Sequence, residues 1–386
     1  MHSEVSKKPV IIQVCLSSAF GGLEMSSVKW TRLFSEAGYP SHLICIRNSK
    51  VAVLARSQNL NTIEFDEPFN YYSASARRGL KLVIEQLQPN VFFSHRSKDL
   101  WHLSPILKKF PDVLLISFAR MFIRGIKKTD WLHKKIYSRI NKMITLSQIQ
   151  KSLLLSSLPL EDSKYIVIPN GVDIDKFYPR KATEQIRDVL GAKNSSLLVG
   201  LIGRLDIQKG HREFVEAASI IHEKHPEVQF VMVGGENSGE KNDSAKKIKS
   251  LIEKYQLQDT ITITGHRDDI PEILNSLDVF CMPSYEENFG NVMLEAMASG
   301  VACVGTNSGG TPEMITEGHS GVLVSPKSSE ALAGGLLRLI EDDKFRAYVA
   351  ENARKVGSER FAMKNVFRRV EDLISDLSSS GDISES

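Results

Sequence analysis

The sequence predicts an α/β protein made of two doubly wound domains, each with a parallel sheet. Three observations carry this. Short apolar runs recur along the whole chain, amphipathic stretches separate them, and the scheme occurs twice. In the first half the runs are residues 10–16, 42–46, 90–95, 112–119, 142–147 and 165–169. In the second half they are 197–203, 228–234, 260–265, 278–284, 301–306 and 321–326. Each is continuously apolar rather than alternating, as expected of a parallel strand covered on both faces. Helical periodicity fills the gaps, for example at Leu23–Ala37 and Ser73–Leu87. Strand–helix alternation at this spacing gives open parallel sheets.

Pro169-Asn170-Gly171 is a turn signal after a strand and marks the linker region. The expected domains are residues 1–177 and 178–360, the second opening with a helix over 180–193. An apolar-periodic helix over 361–377 is expected to cross back to the first domain, and the polar segment 378–386 to be a disordered tail.

Composition narrows the function classes. With 42% hydrophobic and 25% charged residues in 386, the chain reads as globular and large enough to bury its own core. The four cysteines sit inside apolar runs, with no C-x-x-C pair, which reads as reduced core thiols in a cytoplasmic protein. The apolar run at 10–16 is too short for a signal sequence, and no run is long enough to span a membrane. Net charge is only +3, but residues 1–177 hold 25 Lys and Arg against 14 Asp and Glu, while the rest hold 24 against 32. Such asymmetry suggests that the first half faces something anionic.

Ligands of open parallel sheets bind beyond the carboxyl ends of the strands. The segments after the strands therefore carry the chemistry. Residues 278–284 run into a loop and then a helix that begins near Gly290 and stops at Gly300. The amides of Phe289, Gly290 and Asn291 form an anion site at its start. Glu287 precedes it and Glu295 lies one to two turns in. Two carboxylates flanking an anion site suit a polyhydroxyl phosphate ester. The plain alternative is a solvated loop residue and an exposed helix residue.

Arg204 and Lys209 follow the strand at 197–203 beside glycines, a pattern suited to a diphosphate or to a solvated pair of charges. Gly21-Gly22 follows the first strand and allows close approach of a phosphate or sugar, or simply makes a strand–helix turn. No full G-x-G-x-x-G is present, which disfavours a nicotinamide enzyme. His95 ends a strand and is either a site residue at the edge of the interdomain cleft or a structural histidine. Asp173-Ile174-Asp175 imitates a D-x-D metal motif but lies in the linker, and no cluster has metal-ligand spacing.

Read together, these segments resemble glycosyltransferase family 4, whose members have the GT-B fold of two Rossmann-like domains facing a cleft. The stretch from Glu287 to Gly300 resembles its E-x7-E motif. Gly21-Gly22-Leu23-Glu24, Pro169 to Asp173, Gly203-Arg204-Leu205 with Lys209-Gly210, Gly265-His266-Arg267 with Asp269-Ile270, and Gly309-Gly310 with Glu313 match in order. Asn288 departs from the family, which often has glycine there.

The resemblance implies a retaining, metal-independent glycosyltransferase without a cofactor, using a nucleotide-diphosphate sugar. It places the ribose hydroxyls on Glu295 and the donor sugar on Glu287. The diphosphate falls to Phe289, Gly290, Asn291, Arg204 and Lys209, and the base to the backbone of Gly265, His266 and Arg267. Gly21 and Gly22 close over the donor. The family usually has a first-domain histidine facing the transferred sugar, but this chain has Ala119-Arg120 there. Either His95 or Arg120 takes that position, or neither does. A glycan or lipid-linked acceptor is implied, in lipopolysaccharide or cell-surface polysaccharide synthesis.

Residues 120–142 hold eight Lys and Arg, one acid, and Phe122, Trp131 and Tyr137. Such a segment fits an anionic membrane surface, an anionic acceptor or nucleic acid. With a sugar-transfer site at hand, membrane or acceptor outranks nucleic acid. The rival readings are a sugar-nucleotide epimerase of the same architecture and a non-catalytic membrane-associated binding protein.

Overall fold

The structure is a computed structural model that describes residues 8–66, 73–120, 127–192, 196–235 and 244–379. The chain divides into two compact units, one drawn from Met1–Ile168 with Phe367–Ser386, the other Pro169–Val366.

The first unit holds a seven-stranded sheet. Its strands are β1 (Ile11–Cys15), β2 (Ser41–Ile46), β3 (Thr62–Phe65), β4 (Val91–Ser94), β5 (Leu114–Phe118), β6 (Lys142–Thr145) and β7 (Tyr165–Val167). Their order is β3-β2-β1-β4-β5-β6-β7, and every neighbouring pair is parallel. Helices α1 (Gly22–Glu36), α2 (Lys50–Ser57), α3 (Ala74–Leu87), α4 (Leu100–Leu107), α5 (Trp131–Tyr137) and α6 (Gln148–Leu155) connect them. Ser49, Ser73, Asp130 and Ser147 cap four of these helices with side-chain oxygens. The sheet buries apolar residues on both faces. One cluster joins Ile12, Val14, Phe92 and Leu115 to Leu80 and Leu103, and another joins Cys15, Leu43 and Cys45 to Val28 and Ala52. This two-sided burial is why the strands read as unbroken apolar runs.

The second unit repeats the plan with α7 (Glu184–Val189), β8 (Leu198–Ile202), α8 (His211–His222), β9 (Gln229–Val233), α9 (Ser244–Lys254), β10 (Ile261–Gly265), α10 (Ile270–Ser276), β11 (Val279–Met282), α11 (Asn291–Ala298), β12 (Ala302–Thr306), α12 (Thr311–Met314), β13 (Val322–Val324), α13 (Ser329–Ile340) and α14 (Asp343–Arg360). The parallel order is β10-β9-β8-β11-β12-β13. Val172 pairs with Ala362, which ties the segment after Pro169-Asn170-Gly171 to the end of this unit. A Cβ at Gly171 would lie 2.9 Å from the Met363 backbone, so the close approach requires glycine.

The last helix, α15 (Met363–Ser379), straddles the division between the units. It buries Phe367, Val370, Leu373, Ile374 and Leu377, one helical stripe. Phe367 packs edge-on to Phe34 and stacks on Trp30, at ring centroid distances of 5.0 and 6.2 Å.

Three elements differ from the sequence expectation. β3 was missed because Thr62–Phe65 is only half-buried along its length, as befits an edge strand with a weak apolar signal. The helix expected over 180–193 is confined to Glu184–Val189, since Thr183 caps its start and Gly191 turns the chain at φ +83°. Ser378 and Ser379 belong to α15 rather than to a tail, while 380–386 lie outside the described residues. All four cysteines are free and buried. Burial pushes the Cys15 and Cys45 thiols up to about 12.

Phe367→Ala should cost the first unit about 3 kcal/mol, the usual penalty for truncating a buried aromatic. Urea unfolding measures it, and trypsin should cut faster at Arg368 and Arg369. Unchanged stability and unchanged cleavage would contradict the packing described for α15.

Candidate functional site

In each sheet the strand order reverses once, between β1 and β4 in the first unit and between β8 and β11 in the second. The crevice beyond the carboxyl ends at such a reversal is where open parallel sheets bind ligands.

In the second unit that crevice is a cavity of about 260 Å³. Gly203, Arg204, Lys209, Glu287, Phe289, Gly290 and Asn291 line it. β8 delivers Gly203 and Arg204. A single turn after them carries Lys209, and Gly210 (φ +73°) lets that turn lie against Pro283, whose carbonyl oxygen would be 2.1 Å from a Cβ. Lys209 Nζ lies 2.6 Å from Glu287 Oε2. Arg204 is largely exposed and 3.7 Å from Asp206.

The loop holding Glu287 is fixed from behind. Thr306 Oγ1 donates to the Ser284 carbonyl, Ser308 Oγ to the Tyr285 carbonyl and the Gly310 amide to the Glu287 carbonyl. Gly309 (φ +57°) presses on the same segment, since a Cβ there would sit 2.2 Å from the Glu287 oxygen. Phe289 is buried against Phe361, and Asn291 accepts a hydrogen bond from Asn170 Nδ2 at 2.9 Å.

The other expected donor residues lie elsewhere. Glu295 is half-buried on α11 and is not among the residues lining this cavity. Gly265 ends β10, two strands from β8. His266 is exposed, and Arg267 is engaged by both oxygens of Asp269. The sequence reading missed Gly234-Gly235. Gly234 (φ +149°) lies against the Gly203 carbonyl and donates its amide to the Gly265 carbonyl. It thereby joins the ends of β8, β9 and β10 in a glycine-rich floor. The paired glycines after an apolar run were the available signal. Asp173 turns inward on the chain, accepting from the amides of Asp175 and Lys176.

In the first unit a cavity of about 460 Å³ opens at the reversal. Leu23, Glu24, His95, Ala119, Arg120 and Lys128 are among its lining residues. Gly21 and Gly22 sit at the start of α1 without strain, and a Cβ at Gly22 would meet nothing within 4 Å. Packing within the chain therefore does not demand glycine there. His95 is 1% exposed, stacks on Phe118, and shares a 2.7 Å hydrogen bond with Gln13. Burial, then the charge of Arg120, holds its imidazole well below the usual range. Arg120 lies 4.2 Å over the Phe118 ring, and burial pushes its guanidinium down to about 9. Asp99, buried beneath the loop after β1, accepts from the Leu16 amide. Burial pushes its carboxyl up to about 7.

Within the basic run 120–142, some of the described cations serve the chain's own backbone. Arg139 donates to the carbonyls of Leu107, Phe110 and Val113, and Lys142 to that of Ser163. Arg120 lines the cavity, while residues 121–126, with Phe122, lie outside the described residues.

Comparison with known proteins assigns the class first. A crystal structure of a glycosyltransferase from Rickettsia africae ESF-5 matches with a TM-score of 0.85 at 22% identity, over 96% of this chain and 99% of that one. Anabaena Alr3699/HepE in complex with UDP and glucose matches with 0.81 at 22% identity, over 95% and 100%. That likeness shows the GT-B fold. The family model described as Glycosyltransferase Family 4 matches residues 20–176, and that of Glycosyl transferases group 1 matches residues 182–356. The chain belongs to this glycosyltransferase family. It is similar to a D-inositol 3-phosphate glycosyltransferase of Corynebacterium urealyticum, 32% identical over 56% of this chain and 52% of that one. It is also similar to the UDP-Gal:alpha-D-GlcNAc-diphosphoundecaprenol alpha-1,3-galactosyltransferase of Escherichia coli, 31% identical over 64% and 62%. The match thus spans half to three fifths of these curated relatives.

Two expectations follow from the geometry. Gly309→Ala should lower Tm by several degrees, while Gly22→Ala should stay within about 0.5 kcal/mol of wild type. Equal melting shifts for the two would contradict the steric difference. The stability that protonated Asp99 supplies is complete below the ordinary carboxylate range and is lost as pH rises through about 7. His95 acts in the opposite sense, since its contribution is present above its ordinary range and lost as pH falls. The Tm of Asp99→Asn relative to wild type should therefore climb from about pH 5 to 8. A pH-independent difference would remove Asp99 as the cause.

Proposed function

We propose that this protein transfers a glycosyl group from a UDP- or GDP-sugar to a glycan or lipid-linked acceptor, with retention of anomeric configuration and without a metal ion. The setting proposed is lipopolysaccharide or cell-surface polysaccharide synthesis on the cytoplasmic side. The carrying observation is the cavity at the β8–β11 reversal, where Arg204, Lys209, Glu287 and the start of α11 face one space. Cations, helix amides and a carboxylate at one site suit a group that is part diphosphate and part sugar. The names of the relatives point the same way. One acts from UDP-Gal on a diphosphoundecaprenol-linked sugar, and a solved neighbour of the same fold holds UDP and glucose.

In this reading Arg204, Lys209 and the amides of Phe289 to Asn291 hold the diphosphate. As the bond from the anomeric carbon to phosphate oxygen breaks, charge builds on the phosphate, and fixed cations stabilise that state more than the ground state. The acceptor oxygen bonds to the same face of the anomeric carbon, and its proton passes to the departing phosphate. Glu287 orients sugar hydroxyls, and Glu295 the ribose from the next turn of α11. His95, neutral and held by Gln13, and Arg120 line the first unit's cavity, which we assign to the sugar or acceptor. Gly21 and Gly22, which the chain's own packing does not require, leave room for the ligand's approach.

A thermal-shift panel of UDP, GDP, ADP and their sugars in EDTA tests the reading. One nucleoside diphosphate should raise Tm by several degrees, and Glu295→Ala should abolish the shift. Glu287→Ala should reduce turnover more than nucleotide affinity. Lys209→Ala or Arg204→Ala should cost about a hundredfold in kcat/KM, the scale of losing one preorganised charge partner. No stabilisation by any nucleotide, or stabilisation only with a divalent ion, would refute the proposal.

A further inference from the structure

Helices α3, α4 and α5 pack side by side in the first unit. Two adjoining grooves of about 330 and 450 Å³ run over their outer side and share Arg77 and Pro105. Trp101, Trp131, Lys108 and Lys135 line the first. Arg78, Lys81 and Lys109 line the second. The cations come from three separate stretches of sequence, and folding alone gathers them.

Little neutralises them. Lys81 pairs with Glu85 at 3.4 Å. Asp130 is occupied in capping α5 and pairing with His133, and Asp112 lies beyond the end of α4. Among the described residues, Arg77, Arg78, Lys108, Lys109 and Lys135 have no acidic partner, and Arg77 Nε is buried without one. The basic side chains lie beside Trp131, which is 73% exposed. Self-repulsion among such cations is offset when an anionic surface covers them.

The shape selects the partner. The cations spread along three helices rather than converging on one point, which fits an array of headgroups better than a single phosphate. An indole exposed at the edge of a basic face prefers the membrane–water boundary, where its ring meets acyl chains and its N–H meets headgroups. We propose that the α3–α4–α5 face docks this protein on a bilayer containing anionic phospholipid, with Trp131 seated at headgroup level. The docking stands on the surface alone. Only its use, bringing a lipid-linked acceptor to the enzyme, rests on the proposed transfer reaction.

The test is co-sedimentation of the full chain with phosphatidylcholine vesicles, with and without phosphatidylglycerol, in the absence of nucleotide. Binding should require phosphatidylglycerol and weaken as salt rises. Each Lys or Arg near an anionic surface is worth about fivefold in partitioning, so replacing Lys108, Lys109 and Lys135 by Gln should lose about a hundredfold. A control replacing Lys224, Lys344 and Lys364 by Gln removes the same net charge elsewhere and should bind as wild type. Emission should shift to the blue on binding, and Trp131→Phe should abolish the shift although Trp30 and Trp101 remain. Equal binding to neutral vesicles, binding retained by the first triple variant, or equal loss in the control would overturn the proposal. So would tight binding to RNA or heparin without vesicle binding. If vesicle binding fails while a nucleotide still raises Tm, only the docking falls.

Discussion

The candidate donor site depends on how the backbone from Ser284 to Glu287 is held. The Lys209–Glu287 ion pair is the most visible contact there, but it is partly exposed and worth at most about 1 kcal/mol. Three hydrogen bonds from Thr306, Ser308 and Gly310 hold the same segment from behind, and the Tyr285 amide donates forward to the Gln208 carbonyl. At about 1 kcal/mol each these outweigh the ion pair. Glu287 is thus placed by its backbone, and Lys209 comes to it because Gly210 permits the turn.

Glycines serve two ends in this chain. Gly210, Gly234 and Gly309 have positive φ and lie where any side chain would strike a carbonyl, so the fold itself demands them. Gly21 and Gly22 have ordinary backbone, and a Cβ on either would meet nothing closer than 3.5 Å. A sequence shows both kinds alike. Only the structure separates glycines that close the protein on itself from glycines that leave room for something else.

Most strands were legible because burial on both faces writes an unbroken apolar run. β3 was not, since a short edge strand that is only half-buried loses that signature. Of the candidate site, Arg204, Lys209, Glu287 and Phe289 to Asn291 were legible as post-strand residues, and they do line one cavity. The backbone from Gly265 to Arg267 was expected to meet the nucleotide base, and the Arg267 side chain is held by Asp269, two residues on. The basic run 120–142 divides on folding, with Trp131 and Lys135 on an open face and Arg139 turned inward. Arg139 serves as an internal strut, donating to four carbonyls around the end of α4, which no charge count reveals.

The charge asymmetry between the two halves gains its meaning from distance. At physiological salt a charge is felt over about 8 Å, so the net charge of a half cannot decide what binds in a pocket. The second half is net negative, yet it places Arg204 and Lys209 in one glycine-lined cavity, where short range and partial burial weaken screening. The first half is net positive, and its excess divides between internal struts such as Arg139 and the open face of α3, α4 and α5. A surface excess of that kind acts collectively and is sensitive to salt, whereas two cations in a cavity act individually and by geometry. The sign of a whole half therefore speaks for the broad partner that covers it, and the local cluster speaks for the small molecule it holds.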